Sequence, residues 1–144
     1  MSTETPRDLF ARFQHNALAG RPGLDADMLA ADVVIEAPFA PPGRRRTEGR
    51  EQIVARARAG REALPIVFEE FADVTIHDTA DPEVIIAEYH MVASVPGTGT
   101  RAKAPFVVVL RARQGRIVHW REYQDPAAMA QVLAMTAGGS DGPG

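Results

Sequence analysis

The sequence predicts an α+β fold in which a curved antiparallel β-sheet wraps around N-terminal helices and leaves a cone-shaped cavity. Apolar residues recur at helical spacing early in the chain, and four long strand-like segments follow from residue 66 onward with short turns between them. Consecutive strands joined by short turns pair antiparallel. A sheet must bury its apolar face, so we expect the early helices to cover it and a pocket to form at the mouth.

Length and composition are those of one globular domain. The chain has 144 residues, of which 45% are hydrophobic and 24% charged, and we assign residues 1–136 to a single domain and residues 137–144 to a disordered tail. The net charge of −3 disfavours a nucleic-acid partner. No apolar run approaches the roughly 18 residues of a membrane span, and the first residues lack a signal-peptide pattern. We expect a cytoplasmic protein with no membrane or nucleic-acid partner.

The first predicted helix starts at Pro6 and ends at Gly20. Thr5 and Pro6 have the order of an N-cap and a first helical residue, and glycine commonly follows the last turn of a helix. The apolar residues between these ends have helical spacing: Leu9, Phe10, Phe13 and Ala17.

The following segment predicts two more helices and one strand. We expect a short helix at 25–31, a β-branched strand at 33–37, irregular structure in the proline-rich run 38–43, and a helix that opens at 47–49 and continues to about residue 64. Seven arginines lie between residues 44 and 61. They form either a solvated helix face and loop or an anion-binding mouth.

The rest of the chain predicts four strands and a closing helix. The strands are expected at 66–77, 83–94, 102–113 and 116–124, and the helix at 126–136. Turn signals that contain proline or glycine separate the strands, as expected for an antiparallel meander.

Alternation along the last strand identifies a candidate catalytic carboxylate. Glu122 shares a strand face with Val118 and Trp120, and Ile117 lies on the other face. A carboxyl group on an apolar face has a raised pKa because burial disfavours its charged form, and such a group serves as a general acid or base near neutral pH. The alternatives are that Glu122 pairs with an arginine and braces the sheet, or that it lies at a solvent-exposed strand end.

The second long strand offers further candidates on both of its faces. Glu88 and His90 share one face and could form a catalytic dyad or a pair at a dimer interface. Tyr89 and Met91 on the opposite face, together with Phe106 of the third strand, could line a pocket for a planar ligand. Because neither face of this strand is plainly solvated, we also expect a homodimer.

Glu36 and Phe39 complete the candidate binding residues. Glu36 is the only charged residue of its predicted strand and could reach the cavity mouth or meet the arginines at 44–46. The four histidines lack metal-binding spacing, and the chain has no cysteine and no phosphate-binding loop. We therefore expect neither a metal nor a cofactor.

The residues around Glu122 carry a family resemblance. The stretch 115–126, Gly-Arg-Ile-Val-His-Trp-Arg-Glu-Tyr-Gln-Asp-Pro, resembles the closing strand of SnoaL-like proteins, which belong to the nuclear transport factor 2-like superfamily with ketosteroid isomerase and limonene-epoxide hydrolase. The segments 38–43, 48–51, 81–83 and 87–89 look closest to the phenazine-biosynthesis A/B-type branch.

The resemblance implies a cone-shaped α+β barrel, usually a homodimer, with the pocket inside the cone. In the phenazine proteins a glutamate of the matching Arg-Glu-aromatic motif is an acid/base residue, and in the hydrolase an aspartate occupies that place; both correspond to Glu122. The hydrolase also uses an Arg-x-Asp pair, which would fall at Tyr89 and Met91 here. Epoxide hydrolysis is therefore disfavoured.

Two functions follow from these residues. The first is a cofactor-independent isomerase, cyclase or condensation catalyst of bacterial secondary metabolism, in which Glu122 moves a proton of a small hydrophobic or planar molecule held by Trp120 and its neighbours. The alternative is a non-catalytic ligand-binding or scaffold protein of the same fold. A polar pocket with a second titratable group beside Glu122 would favour the enzyme, and a pocket collapsed by Met91, Phe106 and Trp120 would favour the alternative.

Overall fold

The computed structural model describes residues 3–138 as three α-helices and one six-stranded sheet. The strands lie side by side in the order β2-β1-β6-β5-β4-β3. In chain order the elements are α1 (Pro6–Leu18), β1 (Leu29–Glu36), β2 (Arg46–Glu48), α2 (Arg50–Ala63), β3 (Val67–Asp78), β4 (Val84–Ser94), β5 (Arg101–Arg113), β6 (Arg116–Gln124) and α3 (Pro126–Gly138). The sheet is curved and open, which confirms the predicted cone-shaped α+β class.

The four long strands form the predicted antiparallel meander, and each begins and ends close to its expected position. The sheet as a whole is mixed, because β1 pairs in parallel with β6, with Ile35 opposite Trp120. The expectation of a wholly antiparallel sheet is therefore wrong for this pair of strands. Residues 37–115 separate the two strands in sequence, so no tight turn forces them to run in opposite directions.

The start of α1 confirms the predicted cap. The Thr5 side chain accepts a hydrogen bond from the backbone N–H of Asp8, and the Asp8 carboxylate accepts one from the backbone N–H of Thr5. This reciprocal arrangement satisfies two of the donors that a helix start leaves unpaired. Leu9 and Phe10, on the inner side of α1, are fully buried against the concave face of the sheet.

Two predictions before residue 66 need correction. Only Ala26–Met28 form a single 3₁₀ turn where a helix was expected at 25–31, and β1 already begins at Leu29, which pairs with Ile117 of β6. Pairing within the sheet therefore overrides the local preference for a helix. Residues 46–48 form a short edge strand rather than the opening of a helix, and α2 begins after Gly49.

A β-bulge changes which residues of β6 face the interior. Arg111 of β5 lies opposite His119, whereas the next residue, Ala112, lies opposite Ile117, so Val118 is the extra residue of the bulge. Ile117 is therefore fully buried in the core rather than on the outer face, which corrects the strict alternation expected for this strand. Alternation holds from His119 onward.

The last helix is slightly longer than predicted. α3 continues to Gly138, so residues 137 and 138 are helical and do not belong to a tail, and residues 139–144 lie outside the described residues. Val132 of α3 packs with Ile66 and Ala93 in a second apolar cluster at one end of the sheet. In the described part of the chain, no helix combines the length and apolar character that crossing a membrane requires.

Candidate active site

Glu122 lies on the concave face of β6, opposite Val108 of β5 and two residues after Trp120. Its side chain lines two neighbouring cavities inside the curved sheet, with volumes of about 340 and 240 Å³. Phe13 and Gly23 also contribute to both, so the two cavities meet beside Glu122. The placement of Glu122 inside the cone agrees with the alternation from which it was selected.

We name the two cavities after the helices that contribute to their walls. The larger, the α2 cavity, is lined by Ile35, Thr47, Ile53, Arg56, Ala57 and Trp120, in addition to the shared residues. The smaller, the α3 cavity, is predominantly apolar, and its lining includes Phe68, Tyr89, Met91, Phe106, Met129 and Val132. The volumes suit a small organic molecule with a few polar groups.

Burial sets the protonation behaviour of Glu122. Removal from water raises the pKa of its carboxyl group, and an interaction with the Trp120 side chain, which favours the ionised form, offsets part of this rise. No cation among the described residues contributes to the pKa of Glu122. The carboxylate is therefore not the structural ion-pair partner of an arginine, which was one alternative reading of the sequence.

Tyr89 is the second titratable group of this interior. It is 3% exposed, and burial raises the pKa of its hydroxyl well above the usual value, with a further rise from the nearby charge of Glu122. Its ring stacks on that of Phe106 with centroids 5.5 Å apart. Because the hydroxyl stays protonated, Tyr89 can donate a hydrogen bond to a ligand in the α3 cavity but cannot act as a base.

The structure therefore brings together five of the residues selected from the sequence. Trp120 lines the α2 cavity, Glu122 lines both cavities, and Tyr89, Met91 and Phe106 line the α3 cavity. Alternation along neighbouring strands is sufficient to place them on one face, because β4, β5 and β6 pair in regular register at these positions.

Glu88 and His90 lie on the convex face of the sheet, away from both cavities. They do not pair with each other: the Glu88 carboxylate is 2.6 Å from Nε2 of His77, and Nδ1 of His90 is 3.2 Å from a carboxylate oxygen of Asp73. The predicted Glu88–His90 dyad is therefore not formed. Both partners come from β3, whose register with β4 could not be read from β4 alone.

Glu36 and Phe39 also lie outside the cavities. The Glu36 carboxylate accepts a 2.5 Å hydrogen bond from Nε2 of His119 and is 3.7 Å from Arg46. This hydrogen bond is the main cause of a lowered pKa for Glu36. Phe39 is exposed and packs edge-on against Tyr123. Glu36 thus meets the basic run, which was the alternative to a position at the cavity mouth.

Three contributors to the site were missed at the sequence level. Phe13, whose ring centroid is 4.8 Å from that of Trp120, could have been found because it shares the buried side of α1 with Phe10. Gly23 allows the Phe13 ring to lie against the backbone, since a Cβ at position 23 would lie 2.6 Å from that ring. Arg56 carried no distinguishing signal among the seven arginines at 44–61.

A curved, open sheet around a helix is the fold of proteins related to nuclear transport factor 2. A solved NTF2-like protein of Anabaena variabilis shares this fold, with a TM-score of 0.63 and 19% identity, covering 83% of this chain and 85% of the other. Residues 7–120 match the SnoaL-like domain family, and the chain belongs to that family.

Two further relatives are similar to this chain, and the first belongs to the branch that the sequence motifs indicate. An uncharacterised PhzA/B-like protein of Pseudomonas aeruginosa is 35% identical over 108 residues, which cover 74% of each chain. The solved structure of a candidate isomerase of Bacillus subtilis has a TM-score of 0.76 and 26% identity, covering 94% of each chain. The family match ends at Trp120, so the role of Glu122 rests on its position in the cavities.

Proposed function

We propose that the protein is a cofactor-independent isomerase or cyclase that acts on a small, partly planar carbonyl or imine compound, with Glu122 as its general acid and base. The observation that carries the proposal is a desolvated carboxyl group, with a raised pKa and no cationic partner among the described residues, beside two cavities. Such a group accepts a proton more readily than a solvated carboxylate.

The reaction class follows from what Glu122 can do. The carboxylate removes a proton from the carbon next to the carbonyl or imine carbon, and the electron pair of the C–H bond moves to form an enolate or aza-enolate. Glu122, now protonated, returns the proton to another carbon of the same molecule, which isomerises it. Alternatively, the enolate carbon attacks a second carbonyl carbon, which closes a ring, and Glu122 transfers its proton to the resulting alkoxide oxygen. Neither route requires an electron acceptor.

Tyr89 supplies the second function in this mechanism. Its hydroxyl stays protonated, because burial and the charge of Glu122 both raise its pKa. A neutral donor in an apolar cavity stabilises the negative charge that develops on the substrate oxygen. Phe106, stacked on the Tyr89 ring, fixes the orientation of that ring.

Two features support an enzyme over a non-catalytic binding protein. The cavities are open rather than filled by the aromatic side chains around them, and a titratable hydroxyl lies near Glu122. The solved candidate isomerase of Bacillus subtilis points in the same direction.

The proposal is tested with 2-tetralone, a flat bicyclic ketone whose C1 protons are acidic. In deuterium oxide the wild-type protein is expected to accelerate the exchange of these protons, followed by NMR, above the buffer rate. Glu122→Gln keeps the shape of the side chain and removes its basic oxygen, so the accelerated rate should fall by about 10²–10⁴-fold.

Glu70→Gln is the matched control, because Glu70 is an exposed carboxylate of β3 that lines neither cavity. It should exchange the probe at the wild-type rate. A wild-type protein that binds 2-tetralone without accelerating exchange would instead support the non-catalytic binding protein. Activity lost in Glu88→Gln and retained in Glu122→Gln would place the chemistry on the convex face of the sheet.

A further inference from the structure

The α2 cavity contains a cation that the proposed chemistry does not use. Ile53, Arg56 and Ala57 lie on one face of α2, at helical spacing of three and four residues, and all three line this cavity. Arg56 donates a hydrogen bond of 3.0 Å from Nη1 to the Thr47 hydroxyl of β2. Thr47 therefore orients the guanidinium group and leaves its other N–H groups available.

Arg56 has no carboxylate partner among residues 3–138. Two exposed arginines pair with acidic side chains, Arg7 with Asp78 and Arg46 with Glu48. Exposed arginines such as Arg58 form no ion pair among these residues either, so Arg56 differs from them by lining the α2 cavity. Glu122, in the same cavity, is not the missing partner, since no cation contributes to the pKa of its carboxyl group. The α2 cavity thus holds a positive charge at one position and a separate proton-transfer group at another.

The α3 cavity has a complementary character. Tyr89 and Phe106 form a stacked pair with an angle of 18° between their rings, and Met91 and Met129 are further apolar wall residues. Such a space fits a flat, apolar ring system. Because the cavities meet beside Glu122, a molecule that occupies both has its ring system on one side of that carboxylate and its polar group on the other.

We propose that the molecule on which Glu122 acts is a small carboxylic acid, with its ring system in the α3 cavity and its carboxylate bound by Arg56 in the α2 cavity. The guanidinium group matches a carboxylate because it offers parallel N–H donors to both oxygens. One arginine and one hydroxyl balance a single negative charge, whereas a phosphate dianion calls for more donors. This assignment of substrate class rests on the function proposed for Glu122, but the binding role of Arg56 does not.

The test compares 2-naphthoate with the neutral 2-naphthamide, which has the same ring system and nearly the same shape, by isothermal titration calorimetry. The wild-type protein is expected to bind the carboxylate about tenfold more tightly than the amide, as for a hydrogen bond to a charged group. Arg56→Gln should abolish this preference and leave binding of the amide unchanged. Arg56→Lys, which keeps the charge without the paired donors, should retain part of it.

Arg58→Gln is the matched control, since Arg58 is an exposed arginine of the same helix that lines neither the α2 nor the α3 cavity. It should keep the full preference. An equal loss in both variants, no loss in Arg56→Gln, or a wild-type protein without preference for the carboxylate would overturn the proposal. Circular dichroism of each variant verifies that its fold is intact.

The two proposals fail in different ways. Glu122→Gln should still prefer 2-naphthoate to 2-naphthamide, because Arg56 is unchanged. If that preference persists while Glu122→Gln exchanges 2-tetralone at the wild-type rate, the catalytic role of Glu122 is wrong and the anion site stands. If the preference is absent while the exchange depends on Glu122, the substrate is a neutral molecule.

Discussion

Glu122 is an ionisable group placed where its ionised form loses the solvation that water provides. Folding raises the pKa of its carboxyl group above the ordinary value of 4.5. At a pH below 4.5 the group is protonated in both folded and unfolded chains, so its contribution to stability is fully present. As the pH rises, the unfolded chain ionises first, and that contribution is lost as the pH passes through the raised pKa of the folded state.

We therefore expect Glu122→Gln to be more stable than the wild-type protein at pH 7, because the amide cannot ionise. The difference in the free energy of unfolding should shrink as the pH is lowered to values below 4.5, where the Glu122 carboxyl group is neutral in both the folded and the unfolded chain. Urea denaturation at the two pH values measures it. A variant that is less stable than the wild-type protein at pH 7 would show that Glu122 is held as a stabilising carboxylate. The exposed Glu70→Gln serves again as the control.

The bulge in β6 determines which side chains of this strand reach the interior. Ile117 and Trp120 are three positions apart, which would place them on opposite faces of a regular strand, yet both are buried. Val118, the extra residue of the bulge, lies between them and allows both side chains to face the interior. From Trp120 to Glu122 the strand is regular, and both side chains face the cavities.

Two single-residue deletions in β6 should consequently differ. Deletion of Val118 leaves Ile117 and Trp120 two positions apart, so a regular strand keeps both inside, and we expect the protein to fold. Deletion of Arg121 reverses the faces of all later residues of β6 relative to Trp120 and moves Glu122 to the convex face. It should cost about 2–5 kcal/mol, comparable to the loss of a buried side chain. Urea denaturation of both variants measures the difference, and equal destabilisation would contradict this account.

The elements that were predictable are those whose partners are close in sequence. The meander from β3 to β6 followed from turn signals such as Asp81-Pro82 and Gln114-Gly115, and its regular pairing placed Tyr89, Phe106 and Glu122 on one face. β1 was harder, because its parallel partner β6 is distant in sequence. The bulge at Val118 was hidden as well, since Val118 differs in no local property from an ordinary strand residue.

The helical side of the site was not predictable for a related reason. Arg56 reaches the α2 cavity only because α2 packs on β1 with Ile53 facing inward, which makes Arg56 and Ala57 neighbours of the same cavity. A sequence pattern shows which side of a helix is apolar but not what lies beyond that side. In the same way, the sequence of β4 does not show which β3 residue lies beside Glu88, so its pairing with His77 rather than His90 could not be predicted.

The convex face of the sheet bears on the expected assembly. Val107, Val109 and Tyr123 lie on it half-buried, whereas Ile117, which strict alternation along β6 would place on this face, belongs to the core. We propose that this face, flanked by the Glu36–His119 pair, is covered by a second copy of the chain. A second copy would bury these apolar side chains together with Glu88 and Arg121, which lie opposite Val107 and Val109 in the neighbouring strands.

Light scattering coupled to size-exclusion chromatography should give the mass of a dimer at micromolar concentration. Val109→Asp places a charge at the centre of the convex face and should give a monomer with an unchanged circular dichroism spectrum; Val107→Asp is a second variant for the same purpose. Leu133→Asp, at an exposed apolar residue of α3, should remain dimeric. A monomeric wild-type protein would contradict the assembly.

Trp120 is the single tryptophan of the chain, and it is 2% exposed on the wall of the α2 cavity, in contact with Phe13 and beside Glu122. The intrinsic tryptophan fluorescence of the protein therefore originates from one position. Its wavelength and intensity respond to the water, charge and ligand atoms next to that indole. The molecule thus carries its own optical probe of cavity occupancy, with which unlabelled compound collections can be screened before any reaction is known.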